Sequence, residues 1–460
     1  MKKYDIIVIG GGVSGANAAI EAAKNGLLVL LVEERLIGGT CLNCGCIPSK
    51  YLLKTAEEFE MIRKKTESGV WRGDLHLSYA DFKKECQKTI QLLQRGMKNT
   101  LLQLNVNIVE GKGYLEGKKV IVNGEEYIGE NIILATGSAP MIPDIEGLQD
   151  AISDGYAYTN ENIFEDADWP DSLTVIGGGV SGIEIAYAYS LLGAKVTVME
   201  AAPRILSMFD VEISDKVSQL LKQKNIDIRT NVQIEAIEDK ELYFIEDGQP
   251  DSVKCRSIYI SAGREPCNEY IPHDIQHDKR GFVITDQYMQ TNVSNIYAVG
   301  DITGKGMLAY TGVEQAKIAV DYIAGNPINE RNKLISQVLF LSPECMQVGV
   351  SEEEMLNNGV EYHKAELSMN YSGRFIINQN ELSTVAFVKL LIDNHDVLIG
   401  AVMMSTNASE MAVMFEMMIE KQWTMNDIVS YIYPHPTECE IIHDCALNYL
   451  NNKKRTKEYE

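Results

Sequence analysis

Apolar and polar positions fall into a strand rhythm and a helix rhythm, and the two succeed each other twice in the same order. Ile6-Ile7-Val8-Ile9 and Leu173-Thr174-Val175-Ile176 are short β-branched or apolar runs that end in glycine. Runs of that length bounded by glycine predict buried strands. Alanine- and isoleucine-rich stretches follow at residues 16–25 and 183–192, long enough for a helix packed on a sheet. Second strands are predicted at residues 28–32 and 195–199, ending in Glu33 and Glu200. Further on, residues 50–104 read as a helical excursion and residues 385–391 as a strand. Residues 401–419 are Met-rich but interrupted by Asn407, Glu410 and Glu416, and read as an amphipathic core helix. The polar tail, residues 451–460, is expected to fray. No uncharged stretch approaches the ~18–20 apolar residues of a membrane span. The four apolar residues near the start are too few for a signal-peptide core, so no membrane association is expected.

What joins each strand to its helix is the same hexapeptide. Gly-Gly-Gly-Val-Ser-Gly occupies residues 10–15 and again 177–182, and the closing acid lies 23 residues after the first glycine in both copies. Strand, glycine turn, helix, strand and acid make a dinucleotide-binding fingerprint. Gly10 and Gly177 permit the tight turn, while Gly12 and Gly179 let the backbone approach a pyrophosphate on the helix N-terminus. Gly15 and Gly182 allow the helix to approach the sheet. Glu33 and Glu200 can accept from ribose hydroxyls, so two dinucleotides are expected. Glu200 also repels a 2′-phosphate, and no basic residue follows it until Arg204, which favours NAD over NADP.

Composition narrows the classes of partner. The chain has 460 residues, a prior of about three domains at roughly 150 residues each. Its 42 basic and 65 acidic residues leave a net charge of −23, which opposes nucleic-acid binding and suits a basic protein partner. Only Cys41, Cys44 and Cys46 of the nine cysteines cluster, unlike a secreted disulfide framework, and a reducing cytoplasm is the expected compartment. Cys41 and Cys46 lie five residues apart, so both thiols could face one side of a distorted helix. A dithiol beside a dinucleotide site suits thiol–disulfide exchange coupled to hydride chemistry. Inert buried thiols are an equal alternative on these residues alone, and a metal or iron–sulfur site is disfavoured by the lack of a nearby fourth ligand.

The run from Gly38 to Lys50, GGTCLNCGCIPSK, resembles the redox motif of the pyridine nucleotide–disulfide oxidoreductases, specifically of the dihydrolipoamide dehydrogenase family. The resemblance extends along nearly the whole chain through Ala135-Thr136-Gly137-Ser138, residues 261–266 (SAGREP), residues 297–301 (YAVGD), Met307-Leu308-Ala309-Tyr310 and residues 434–440 (PHPTECE). It implies an α/β architecture of two Rossmann-like domains, for FAD and NAD, with a C-terminal α+β dimerisation domain. The implied segments are 1–148 and 267–333 for FAD, 149–266 for NAD and 334–460 for dimerisation. FAD would rest on Gly10, Gly12, Gly15, Glu33, Gly113, the 135–138 turn and Asp301, with residues 307–310 closing over the flavin. NAD would rest on Gly177, Gly179, Gly182, Glu200 and Gly263, and Lys50 and Glu184 would pair beside the flavin.

The resemblance also implies a disulfide between Cys41, the interchange thiol, and Cys46, the thiol next to the flavin. His435 would be the general base, oriented by Glu440 and acting in the other subunit of a homodimer. Dihydrolipoamide on a lipoyl-bearing protein would be the substrate, with a basic E2-type segment as docking partner. Three departures stand out. Cys44 replaces a usual valine, either as a small buried hydrophobe or as a thiol able to capture part of the disulfide. Tyr433 replaces a second histidine, and residues 375–380 lack a usual arginine. Rival readings are weaker. A mercuric-reductase role lacks a C-terminal cysteine pair, a glutathione-type role conflicts with Glu200, and a pure scaffold would not need Cys41, Cys46, His435 and Glu440.

Overall fold

The computed structural model describes residues 2–459 apart from residues 165–168, 270, 327–333 and 380, with side chains as far as Arg455. The first fingerprint lies in a sheet ordered Asn107–Glu110, Val29–Glu33, Lys2–Ile9 and Glu125–Leu134, all parallel, with Ile296–Ala298 beside the last. Ile6 pairs Val29 and Ile9 pairs Val32, so the glycine turn and Glu33 emerge together at the carboxyl edge. That edge is where open parallel sheets bind nucleotides. Two antiparallel strands, Lys119–Val122 and Gly113–Glu116, extend the sheet.

The second fingerprint repeats the pattern. Its parallel sheet runs Asp227–Arg229, Lys195–Met199, Ser172–Ile176, Ser257–Ile260 and Ala157–Tyr158. A short antiparallel pair, Ser138–Pro140 with Arg264–Pro266, stitches the two nucleotide folds together. The third sheet is five-stranded and antiparallel: Gln337–Leu339, Glu344–Gly349, Leu398–Ser405, Phe387–Ile392 and His363–Ser368. The anticipated division after residue 148 falls at the start of the helix Leu148–Ser153, and the one after 266 at the end of Arg264–Pro266. The division after residue 333 lies outside the described residues.

Both fingerprint helices form where expected, Val13–Lys24 and Val180–Leu191. The second is buried on nearly every side because the sheet is not its only neighbour. Its Ile183, Ile185 and Ala186 share one core with Leu52, Leu53 and Ala56 of the helix Cys46–Glu67 and with Leu339 and Phe387 of the third sheet. That shared core fixes the redox helix against the second nucleotide fold. Two expectations are corrected. Residues 401–419 are not one helix: Leu398–Ser405 is a strand and Ala408–Glu420 a helix. The strand is central and buried on both faces, so it lacks the alternation that would mark it. The tail does not fray in the backbone, since the helix Glu440–Tyr459 continues through it. No helix among the described residues is long and apolar enough to cross a membrane.

Candidate active site

Gly10 and Gly177 turn with φ of +101° and +107°, the left-handed region that favours glycine. A Cβ on either would meet a carbonyl oxygen, of Ala135 or Ser261, at 2.2 Å. Gly15 and Gly182 press equally close on the carbonyls of Gly10 and Gly177, at 1.8 and 2.1 Å from a notional Cβ. By contrast, Gly179 faces open space at the helix N-terminus, and Gly12 has only Gly39 Cα at 3.8 Å. The two acids are held identically. Glu33 accepts from the Gly11 and Arg35 amides at 2.6 and 2.7 Å, and Glu200 from the Gly178 and Ala202 amides at the same distances. Each carboxylate is thus aimed by backbone and keeps lone pairs for a further donor. Arg204 is turned away from Glu200, donating to the carbonyls of Leu206, Ser207 and Phe209.

Around the first turn a polar chain assembles that spacing alone did not announce. Ser138 donates to Asp301 at 2.7 Å and accepts from Arg264 Nε at 2.7 Å. Arg264 also donates to the Ser138 carbonyl at 2.6 Å and to Asn160 Oδ1 at 3.3 Å, and Asn160 donates to the Cys44 carbonyl at 3.1 Å. Asp301, a candidate flavin ligand, is therefore linked to the turn between the redox cysteines. Arg264 lay inside a quoted motif without a role, and nothing in the sequence pointed to Asn160. Ala135 and Gly137 complete the turn, and Thr136 Oγ1 is buried there without a hydrogen-bond partner. Gly113 opens the strand Gly113–Glu116, two residues after Gly111 donates to the Glu33 carbonyl at 2.8 Å. Met307 takes a positive φ, Leu308 precedes the helix Ala309–Ile323, and the Tyr310 hydroxyl donates to the Ser336 carbonyl. Gly263, with φ of +115°, accepts from the Met141 amide at 3.0 Å.

The cysteines do not share one helix. Gly39–Asn43 forms a short helix that ends at Cys44, and Cys46 opens the helix Cys46–Glu67. The break keeps Cys41 and Cys46 in contact while giving them different surroundings. The hydrogen bond with Cys41 pulls the Cys46 thiol down to about 7 against the effect of burial, and the Lys50 cation adds to the pull. The same hydrogen bond, with burial, drives the Cys41 thiol upward. The Lys50 charge thus favours the thiolate form of Cys46. Lys50 lies one helical turn on, its Nζ 2.7 Å from Glu184 Oε2 and 4.5 Å from the centre of the Phe340 ring. Glu184, 2% exposed, uses its other oxygen to accept from the Phe340 amide at 3.1 Å. Burial raises the Cys44 thiol, which is half-buried.

His435 stands apart from this group. Its Nδ1 is 2.9 Å from Glu440 Oε1, and Glu440 Oε2 accepts from the Thr437 amide at 2.7 Å. The Thr437 amide and then His435 hold the Glu440 carboxyl below its ordinary value. Within the chain, no hydrogen bond among the described residues joins His435 to either redox thiol, and the imidazole is 82% exposed. Its neighbour Ile432 is 98% exposed, as suits a surface met by a second copy. Tyr433 donates to the Ile428 carbonyl at 3.4 Å, and burial pushes its phenol up to about 12.

Residues 4–316 match the family model of the pyridine nucleotide-disulphide oxidoreductases, and residues 335–446 match that family's dimerisation domain, which supports a homodimer. The dihydrolipoyl dehydrogenase of Mycoplasma pneumoniae is 34% identical over 97% of this chain and 98% of its own length. That of Geobacillus stearothermophilus is 32% identical over 96% of this chain and 95% of its own length. The solved structure of LpdA from Mycobacterium tuberculosis shares the fold at a TM-score of 0.86 and 21% identity, covering 98% of this chain and all of that one. The flavoprotein disulfide reductase RclA of Escherichia coli shares it at 0.85 and 24%, covering 96% and 99%. The chain belongs to the pyridine nucleotide-disulphide oxidoreductase family, FAD-containing enzymes that link a redox-active cysteine pair to a nicotinamide dinucleotide.

Proposed function

We propose that the chain oxidises protein-bound dihydrolipoamide to lipoamide and reduces NAD, as the E3 component of a 2-oxo acid dehydrogenase or glycine cleavage complex. The observation that carries this reading is the asymmetry of the dithiol, with Cys46 held near neutrality and Cys41 held protonated in mutual contact. The residues fit both cofactors. Glycine turns leave room for pyrophosphate, Glu33 and Glu200 are aimed for ribose, and the orphaned Thr136 hydroxyl lacks a partner that a bound FAD could supply.

In the oxidised enzyme Cys41 and Cys46 form the disulfide. His435 of a second copy takes a proton from one substrate thiol, and the thiolate attacks Cys41 Sγ. The Cys41–Cys46 bond breaks, Cys46 leaves as a thiolate beside Lys50, and a mixed disulfide joins Cys41 to the substrate. The second substrate sulfur closes the lipoamide ring, and Cys41 departs and takes up that sulfur's proton. Glu440 orients the imidazole through its contact with Nδ1. Held at Gly10, Gly12, Gly15 and Glu33, FAD would supply an acceptor for the electron pair of the reduced dithiol, and NAD at Gly177, Gly179, Gly182 and Glu200 would supply the final hydride acceptor. Glu184 holds Lys50 at a point where its charge favours the Cys46 thiolate.

The relatives' printed names support the substrate, and Glu200 with a turned-away Arg204 supports NAD. The net charge of −23 supports docking to a basic segment of the lipoyl-bearing subunit. The reading places the enzyme in a reducing cytoplasm, which suits nine cysteines of which only three cluster in sequence. The test is NAD reduction with dihydrolipoamide set against a panel of other dithiols and disulfides. Highest kcat/KM with dihydrolipoamide is expected; turnover confined to another disulfide overturns the substrate.

A further inference from the structure

Among residues 431–440, which carry the His435–Glu440 pair, Glu438 alone is buried, at 4% exposure. A lone buried carboxylate in an exposed segment is costly unless its oxygens are satisfied. Here they are satisfied from two other elements. Asn378, in the helix Gly373–Gln379, donates to Oε1 at 2.6 Å, and Asn407 donates to the same oxygen at 3.1 Å. Thr406 donates to Oε1 and Ser405 to Oε2, both from the end of the central strand Leu398–Ser405 or the turn after it. Among the described residues no cation pairs with Glu438, so four neutral donors hold the charge. An acceptor that takes several neutral donors fixes direction as well as position.

We propose that Glu438 is a positioning residue for the general base. It stakes the segment 434–440 to the floor of the third sheet and so sets where His435 and Glu440 stand. The connection is short. Thr437 donates its amide to Glu440 Oε2 at 2.7 Å, the Ile441 amide donates to the Glu438 carbonyl at 3.3 Å, and Ser372 donates to the Thr437 carbonyl at 3.4 Å. Moving Glu438 therefore moves both ends of the turn that holds the His435 imidazole 2.9 Å from Glu440. Asn378 lies in the segment 375–380, and the asparagine there serves this anchor.

The inference rests on the reading of His435 as the base toward dihydrolipoamide, and two readouts separate its failure from the failure of that reading. In the dimeric holoenzyme, Glu438→Ala is expected to lower kcat/KM for dihydrolipoamide by about tenfold or more, since displacement of a base by an ångström is that costly. KM for NAD and NADH oxidation by ferricyanide, which bypasses the dithiol, should stay unchanged. Glu438→Gln, which keeps one acceptor oxygen, should fall between Ala and wild type. Independently of turnover, NMR spectra of the seven histidines, with His435 assigned by its loss in His435→Gln, should show its imidazole resonances displaced in Glu438→Ala as the Glu440 contact loosens. Unmoved His435 resonances overturn the proposal, whatever the substrate proves to be. An equal loss in the ferricyanide reaction also overturns it, because the residue would then be merely structural.

Discussion

Lys50 Nζ lies 2.7 Å from Glu184 Oε2, an ion pair between residues 134 apart in sequence that ties the redox helix to the second fingerprint helix. The Lys50 charge, after the hydrogen bond with Cys41, helps lower the Cys46 thiol to about 7. Lys50→Met should raise the Cys46 thiol, because an adjacent opposite charge favours the thiolate. The check is the pH dependence of alkylation of the reduced enzyme, whose midpoint should move upward. An unmoved midpoint would mean that the Cys41 hydrogen bond alone holds the thiolate.

Glu200 offers a test of nucleotide choice. Its carboxylate is fixed by the Gly178 and Ala202 amides and points where a 2′-hydroxyl would donate. Glu200→Ala should lower kcat/KM for NAD by about tenfold, the worth of one hydrogen bond to a charged group. Activity with NADP should fall less or rise, because the repulsion of a 2′-phosphate is gone. Steady-state kinetics with both nucleotides measure the ratio.

Lys389 is completely buried, in the strand Phe387–Ile392, with Asp210, Glu212 and Glu352 at 2.8, 3.1 and 3.1 Å. Asp210 also caps the helix Val211–Gln223, so this cluster joins the second nucleotide fold to the third sheet. Lys389→Met leaves three facing acids without their cation and should cost about 3–5 kcal/mol. Chemical denaturation at neutral pH checks this, and a loss below about 1 kcal/mol would assign the joint to apolar packing.

Burial pushes the Glu57 carboxyl from 4.5 up to about 7, opposed by the Lys54 cation and aided by the Glu344 charge. A folded-state value above the unfolded one makes the native protein bind the extra proton between those limits. The stability this contributes is full below about 4.5 and is lost as pH rises through about 7. Glu57→Gln should therefore raise Tm at pH 8 and change it little at pH 5, as differential scanning fluorimetry would show.

Much of this site was legible where one residue type answers one local demand. Gly10 and Gly177 are needed for a positive φ beside a carbonyl, so the repeat announced both nucleotide folds and placed Glu33 and Glu200 at their edges. Lys50 and Glu184 were paired through family resemblance, since no local spacing links residues so far apart. The strand Leu398–Ser405 hid inside a Met-rich run because burial on both faces removes the period-two signal. Arg264, Asn160 and Glu438 act through contacts assembled by the fold, and an arginine, an asparagine or a glutamate in isolation predicts none of them.

The central claim is that Cys41 meets the substrate and Cys46 meets the flavin. Visible spectra of the FAD-loaded Cys41→Ser and Cys46→Ser enzymes at pH 8, without reductant, test it most directly. Neither variant can form the disulfide. In Cys41→Ser the new hydroxyl can still donate to Cys46, whose thiol titrates near 7 in the native pair, so a long-wavelength thiolate–flavin absorbance should appear. In Cys46→Ser it should be absent even after reduction. The band in Cys46→Ser and its absence from Cys41→Ser would contradict the assignment.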